Sequence, residues 1–144
     1  MAKYDDIQNL YKMSSVCGNA ISAGKASASI DCKGFEQAML VVRTGTLAST
    51  NVCTVSIQHS DDDAVSDAYA NITGAVITLA DDDDDTTLYA KLRLNVATVK
   101  RYIRIHVINA TAVGEYAAML MVGNKSGEYP VDAKVLEFDV LNVA

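Results

Sequence analysis

The chain has 144 residues, half of them hydrophobic and 21% charged, with a formal net charge of −6 and an isoelectric point near 4.7. That is enough sequence for one domain with a substantial core and too much apolar content for a disordered chain. It is also too acidic to displace counterions from a phosphate backbone, which argues against nucleic acid as a partner.

Residues 1–16, MAKYDDIQNLYKMSSV, differ from the rest of the chain. Tyr4, Ile7, Leu10 and Tyr11 recur at spacings of three and four behind Asp5 and Asp6, the pattern of a short amphipathic helix. One or two turns are too few to stand alone. The stripe either packs on the domain or forms an N-terminal arm that orders on a partner, and the arm is the expectation. The chain beyond, 17–144, reads as a single β domain with an extended C-terminal tail.

From Gly18 to Ser29 the residues are small, a loop or an extended lead into Ile30 and Cys32. Asp31 to Gly34 reads as a turn with glycine free to take a positive φ. Phe35 to Arg43 is a strand, with Thr44-Gly45-Thr46 expected to close it. Cys53 to His59 alternates, Cys53, Val55 and Ile57 against Thr54, Ser56 and Gln58, the mark of a half-buried strand. Ser60 to Asp67 is an acidic loop, and Ala75 to Leu79 is a short apolar strand.

After the five aspartates Asp81 to Asp85, alternation returns: Leu88, Ala90, Leu92 and Leu94 against Tyr89, Lys91 and Arg93. Lys100 to Gly123 contains two long strands with a short connection. The first sets Ile103, Ile105 and Val107 against Tyr102, Arg104 and His106. The second is apolar on both faces, Tyr116, Ala118, Leu120 and Val122 on one and Ala117, Met119 and Met121 on the other. Such a strand is covered on both sides, by a second sheet or a neighbouring subunit. Gly123 to Gly127 reads as a turn, and a last strand is expected around Val135 to Val140. Seven or eight strands with turn signals about every ten residues predict an all-β fold, an antiparallel β-sandwich or jelly-roll-like barrel.

Candidate chemistry is sparse. Three cysteines, Cys17, Cys32 and Cys53, lack the spacing of a metal site and read as reduced thiols. The three N-x-S/T triplets, at Asn71, Asn109 and Asn124, read as chance matches. No apolar signal region and no uninterrupted run of about 18 apolar residues occurs, so neither export by that route nor a membrane partner is expected. Aligned on a calcium-binding loop, Asp81, Asp83 and Asp85 fit, but Thr86 stands where glycine is required and Leu92 where glutamate is. A solvated turn accounts for the run better, and likewise for Asp61 to Asp63. No nucleophile-elbow, phosphate-loop, dinucleotide or zinc-protease pattern is present, and His59 and His106 are the only histidines, so an enzyme is not expected.

The positive charge is concentrated instead. Lys91, Arg93, Lys100, Arg101 and Arg104 are five of the twelve cations, close together in an acidic chain. If their strands pair, Tyr89, Lys91 and Arg93 join Tyr102 and Arg104 in a Tyr/Arg patch, residue types enriched at protein interfaces. The competing reading is an ordinary solvated sheet face.

The strings FEQAMLVVRTGTL, VSIQHSDD, VITLADDDD, TLYAKLRLN, KRYIRIHVINAT and AAMLMVGNK, over residues 27 to 125, resemble the capsid decoration or cement proteins of tailed phages. The resemblance implies a β-sandwich without catalytic residues or cofactors. It implies a place on the exterior of the virion head after synthesis in the bacterial cytoplasm, often as a homotrimer, bridging subunits of the major capsid protein. Two other readings stay open, a tail or head–tail component and a carbohydrate-binding module. The second is weakened by the absence of Trp.

Overall fold

The computed structural model describes residues 11–18, 24–47, 53–80, 83–94, 96–109, 114–125 and 138–143. They form an all-β sandwich of two antiparallel sheets. The strands are β1 (Lys12–Gly18), β2 (Lys25–Ala26), β3 (Ile30–Asp31), β4 (Phe35–Leu47), β5 (Cys53–Ser60), β6 (Ala70–Leu79), β7 (Thr87–Arg93), β8 (Tyr102–Asn109), β9 (Gly114–Lys125) and β10 (Phe138–Val143). The front sheet runs β1-β9-β4-β7-β10, and the back sheet runs β2-β8-β5-β6 with β3 also on β8.

β2 and β3 are two pieces of one edge strand, pairing with Val107 and His106 at one end of β8 and with Ile103 and Tyr102 at the other. Ser27 bridges the break. Its N–H donates to the Ile105 carbonyl, and its hydroxyl accepts the Ile105 N–H at 3.0 Å, where a regular ladder would use a carbonyl.

The alternation read from the sequence becomes the core. Leu40, Val42, Leu88, Ala90, Leu92, Tyr116, Ala118, Leu120 and Val122 of the front sheet face Val55, Ile57, Ile72, Ile77, Leu79, Ile103, Ile105 and Val107 of the back sheet. One side of the sandwich is stitched shut. Lys12 Nζ donates to the Asp31 carbonyl at 2.9 Å, Ser14 Oγ to that of Ala28 at 2.6 Å, and Lys25 Nζ to that of Cys17 at 2.9 Å, tying β1 to β2 and β3.

Several expectations change. Residues 12–16, assigned to an arm, pair with β9 as part of β1, whereas Tyr4, Ile7 and Leu10 lie outside the described residues. Thr44-Gly45-Thr46 does not end its strand; β4 continues to Leu47 through a bulge. Thr44 is buried there, its hydroxyl donating to the Asp83 carbonyl and accepting the Thr86 N–H. Gly45 takes no positive φ, and a Cβ there would meet Glu115 Oε2 at 2.7 Å and Glu115 Cβ at 3.0 Å, so the exposed Glu115 side chain would have to swing aside.

β6 starts at Ala70, not Ala75, because an irregularity opposite Ser56 and Gln58 breaks its alternation, with Gly74 at φ +84° inside it. β10 begins three residues after the strand expected at Val135, whose first part lies outside the described residues. The turn at Asp31 to Gly34 forms as expected, with Gly34 at φ +83°.

Candidate interaction surfaces

The Tyr/Arg patch does not form. β7 belongs to the front sheet and β8 to the back, so Tyr89, Lys91 and Arg93 lie on one outer face and Tyr102 and Arg104 on the opposite one. Strand parity points each side chain outward, as expected, but the two strands do not pair. Tyr11 is exposed at the start of β1.

On the back face Arg104 is held in place by its neighbours. Its guanidinium lies 4.0 Å from the centroid of the Tyr69 ring, and its Nε donates to Gln58 Oε1 at 3.0 Å. Gln58 in turn donates to Asn71 Oδ1 at 3.1 Å, as does the buried Ser56 hydroxyl. At the other end the Tyr69 hydroxyl donates to Asp63 at 2.6 Å. Burial, reinforced by that carboxylate, pushes the phenol up to about 12. This row from Asp63 to Ser56 was not found from the sequence, because its members come from three strands and a loop whose register no local spacing reveals. His106 and the exposed Ile108 extend the face. Desolvation and the Arg104 charge lower the His106 pKa, which favours the neutral ring.

The described aspartates of both runs have local partners; Asp81 and Asp82 lie outside the described residues. Asp62 accepts backbone N–H groups of Val65, Ser66 and Asp67. The Ser66 hydroxyl, more than those amides, holds its carboxyl down at about 2. Asp67 takes the Asp61 N–H and pairs with Lys100 at 2.7 Å, and Lys100 also reaches Asp61 at 3.7 Å. The Lys100 N–H donates to His59 Nδ1 at 3.3 Å. In the second run Asp83 accepts the Ala80 N–H and Asp84 the Leu47 N–H, while Asp85 pairs with Arg43 at 3.6 Å. These carboxylates cap loops and the end of β4. Among the described residues no group of three His, Cys, Asp or Glu could hold a metal ion.

The outer face of the front sheet carries what the sequence only half showed. Met13 of β1 is opposite Met121 of β9, Met121 is opposite Met39 of β4, and Met39 is opposite Lys91 of β7. The next row on the same face is Ser15, Met119, Val41 and Tyr89. Four of the five methionines therefore share one face, with Met13 63% and Met119 37% exposed. The doubly apolar strand β9 is covered by the back sheet on its Leu120 side. On its Met119 side no described residue covers it.

No family model matches the chain, and no curated protein does. Among solved structures, an exported protein of phage PBSX, XepA, superposes with a TM-score of 0.58 at 13% identity, over 94% of this chain and 44% of that one. This chain thus spans under half the length of that protein, and at this identity the likeness is one of fold. A protein of Bacillus endospore appendages, described as disulfide-linked pili, gives a TM-score of 0.44 at 13% identity over 81% of this chain and 90% of its own.

Proposed function

We propose that this chain is a non-enzymatic structural protein of a tailed-phage virion, a decoration protein that binds the outside of the head as a homotrimer and bridges major capsid subunits. The observation that carries this reading is a two-layer sandwich with residue types enriched at interfaces on both outer faces, methionine and tyrosine in front and Tyr102, Arg104 and Ile108 behind. A bridging subunit needs two such surfaces. The resemblance of residues 27 to 125 to cement proteins supports it, as does a fold shared with a phage exported protein. Stabilisation of the shell then comes from mass action: a protein that binds the assembled lattice better than dissociated subunits shifts the equilibrium toward assembly.

The test is to add purified protein to heads lacking it and measure co-sedimentation and the resistance of the heads to heat. Binding with raised resistance is the expected outcome, and no binding by folded protein would sink the reading. Because both outer faces are assigned contacts, Lys91→Glu in front and Arg104→Glu behind should each weaken attachment to the head or trimer formation, and two variants that match the parent in both assays would count against the reading. The second reading, a tail or head–tail component, draws on the fold's occurrence as 44% of an exported phage protein not described as a capsid one. Rings of the isolated protein in electron micrographs would favour it.

A further inference from the structure

The outer face of the back sheet holds a fixed cation with an open edge. The half-buried Arg104 of β8 stacks its guanidinium on the Tyr69 ring at 4.0 Å, and its Nε donates to Gln58 Oε1 at 3.0 Å. Gln58 is steadied in turn by Asn71. These contacts are with uncharged groups. Among the described residues no carboxylate accepts from Arg104 Nη1 or Nη2. Arg43 and Arg101, by contrast, pair with Asp85 and Asp31. We infer that this face docks an acidic segment of another protein, which sets an Asp or Glu carboxylate end-on against Arg104 and apolar side chains against Val76 and Ile108.

Charge complementarity carries the choice of occupant. The carboxylates around the face are already engaged. Asp63 feels the Arg104 charge, but it is spent on the Tyr69 hydroxyl, at 2.6 Å, and on Ser29. Asp31 holds Arg101, and Asp61 and Asp67 hold Lys100. Beyond Arg104, the next two outward rows across β8, β5 and β6 run from His106 to Val76 and from Ile108 to Thr78, and they hold no carboxylate. Such a gap is notable in a chain with 18 Asp and Glu. Val76 and Ile108 are each 41% exposed, so large apolar side chains stand beside the cation. A guanidinium already held by a ring and an amide has little rotamer freedom left to lose. A planar carboxylate then gains two parallel charge-assisted hydrogen bonds at small entropic cost.

The face also limits the size of the occupant. Four strands wide and about eight residues long, it offers on the order of 500 Å² in all. A stable protein–protein interface takes about 800 Å² per partner, so a segment fits better than a whole domain face. A second copy of this chain is a poorer source, because the described aspartates of its acidic runs already cap backbone or pair with Lys100 and Arg43. One open cation on a face without others does not suit a phosphate backbone, whose affinity comes from many. The inference deepens the virion reading by naming what the back face takes, and it rests on that reading only for the source of the segment.

The first test needs no virion. The labelled protein is titrated, with nitrogen-15 NMR as readout, with the blocked peptide acetyl-Leu-Glu-Leu-Glu-Leu-amide and with its glutamine counterpart. The acidic peptide should shift the Arg104 Nε–H signal and the Val76 and Ile108 amides, and Arg104→Gln should weaken it roughly ten-fold, the loss of one charge-assisted pair. No shift by about 10 mM peptide, an equal response to the glutamine peptide, or shifts confined to the front sheet would each overturn the inference. The second test adds folded Arg104→Lys and Arg104→Gln to heads lacking the protein. Co-sedimentation should weaken several-fold for the lysine variant, which keeps the charge but not the fork, and more for the glutamine variant. Parent-like binding by both would overturn the inference and leave the virion reading standing. Loss of self-association by Arg104→Gln with parent-like head binding would give the face to a second copy, and overturn it too. If the parent itself does not bind heads, the virion reading fails and the peptide titration alone decides the inference.

Discussion

At the scale of single residues, the informative groups are the ones that hold charge at the seam of the sandwich. Asp31 accepts two hydrogen bonds from the Arg101 guanidinium, each 2.9 Å, and one from the Lys33 N–H at 3.1 Å. The Arg101 bonds, against a smaller opposing effect of burial, bring its carboxyl from 3.8 down to about 2. A carboxylate with a lowered native pKa stabilises the fold above its unfolded pKa and loses that contribution as pH falls through the native one. Asp31 should therefore help at pH 5 and above and lose its effect between about pH 4 and pH 2. Melting temperatures of the parent and Asp31→Asn should differ at pH 6 and converge by pH 2. A gap that persists at pH 2 would show that the carboxylate's charge is not what matters.

At the scale of elements, the back sheet depends on a strand that is broken in the middle. Ser27 is buried and supplies the acceptor for a central N–H of β8, in line with the core residue Ile105. Ser27→Ala removes that acceptor and leaves a buried donor unpaired, which costs about 1–3 kcal/mol. Urea denaturation measures it, and a change under about 0.5 kcal/mol, well below that range, would mean that the Ile105 amide finds another partner. This bridging role was not legible, because a serine in a run of small residues looks like any loop serine. Half-buried strands were legible, since Thr87 to Arg93 and Tyr102 to Val107 show a clean period of two, and Cys53 to His59 departs from it at Ser56, expected outward but buried. Gly45 misled because a glycine between threonines has turn chemistry, whereas here it lies inside β4 beside the Glu115 side chain. The outward methionines of β9 were visible as a pattern. Their union with Met13 and Met39 needed the register of three strands.

At the scale of the whole molecule, the sandwich sorts its thiols. Cys32 and Cys53 are buried, and desolvation pushes them up to about 12 and about 11, far from the reactive thiolate. Cys17 faces outward on the edge strand. Native protein at pH 8 should release one equivalent of thionitrobenzoate from Ellman's reagent, and denatured protein three, one for each cysteine. Two or three fast equivalents in the native state would place Cys32 or Cys53 nearer solvent than the sheets allow. The fold class was legible from composition and alternation, but the sheet to which each strand belongs was not. Apart from the β5–β6 hairpin, sequence neighbours do not pair, so no turn signal announced their partners.

That arrangement has a consequence for how the molecule comes into being. The chain passes from front to back and front again, and β1 waits for β9, with Lys12 meeting Val122. A nascent chain leaving the ribosome can form the β5–β6 hairpin early but cannot assemble the front layer until β9 has been synthesised. Pairings of such long sequence separation place folding in the millisecond-to-second range typical of β-sandwiches. The same order leaves β1 without its partner in the sheet while β4 and β7 are made, so the edge of the front layer closes only when β9 arrives beside it.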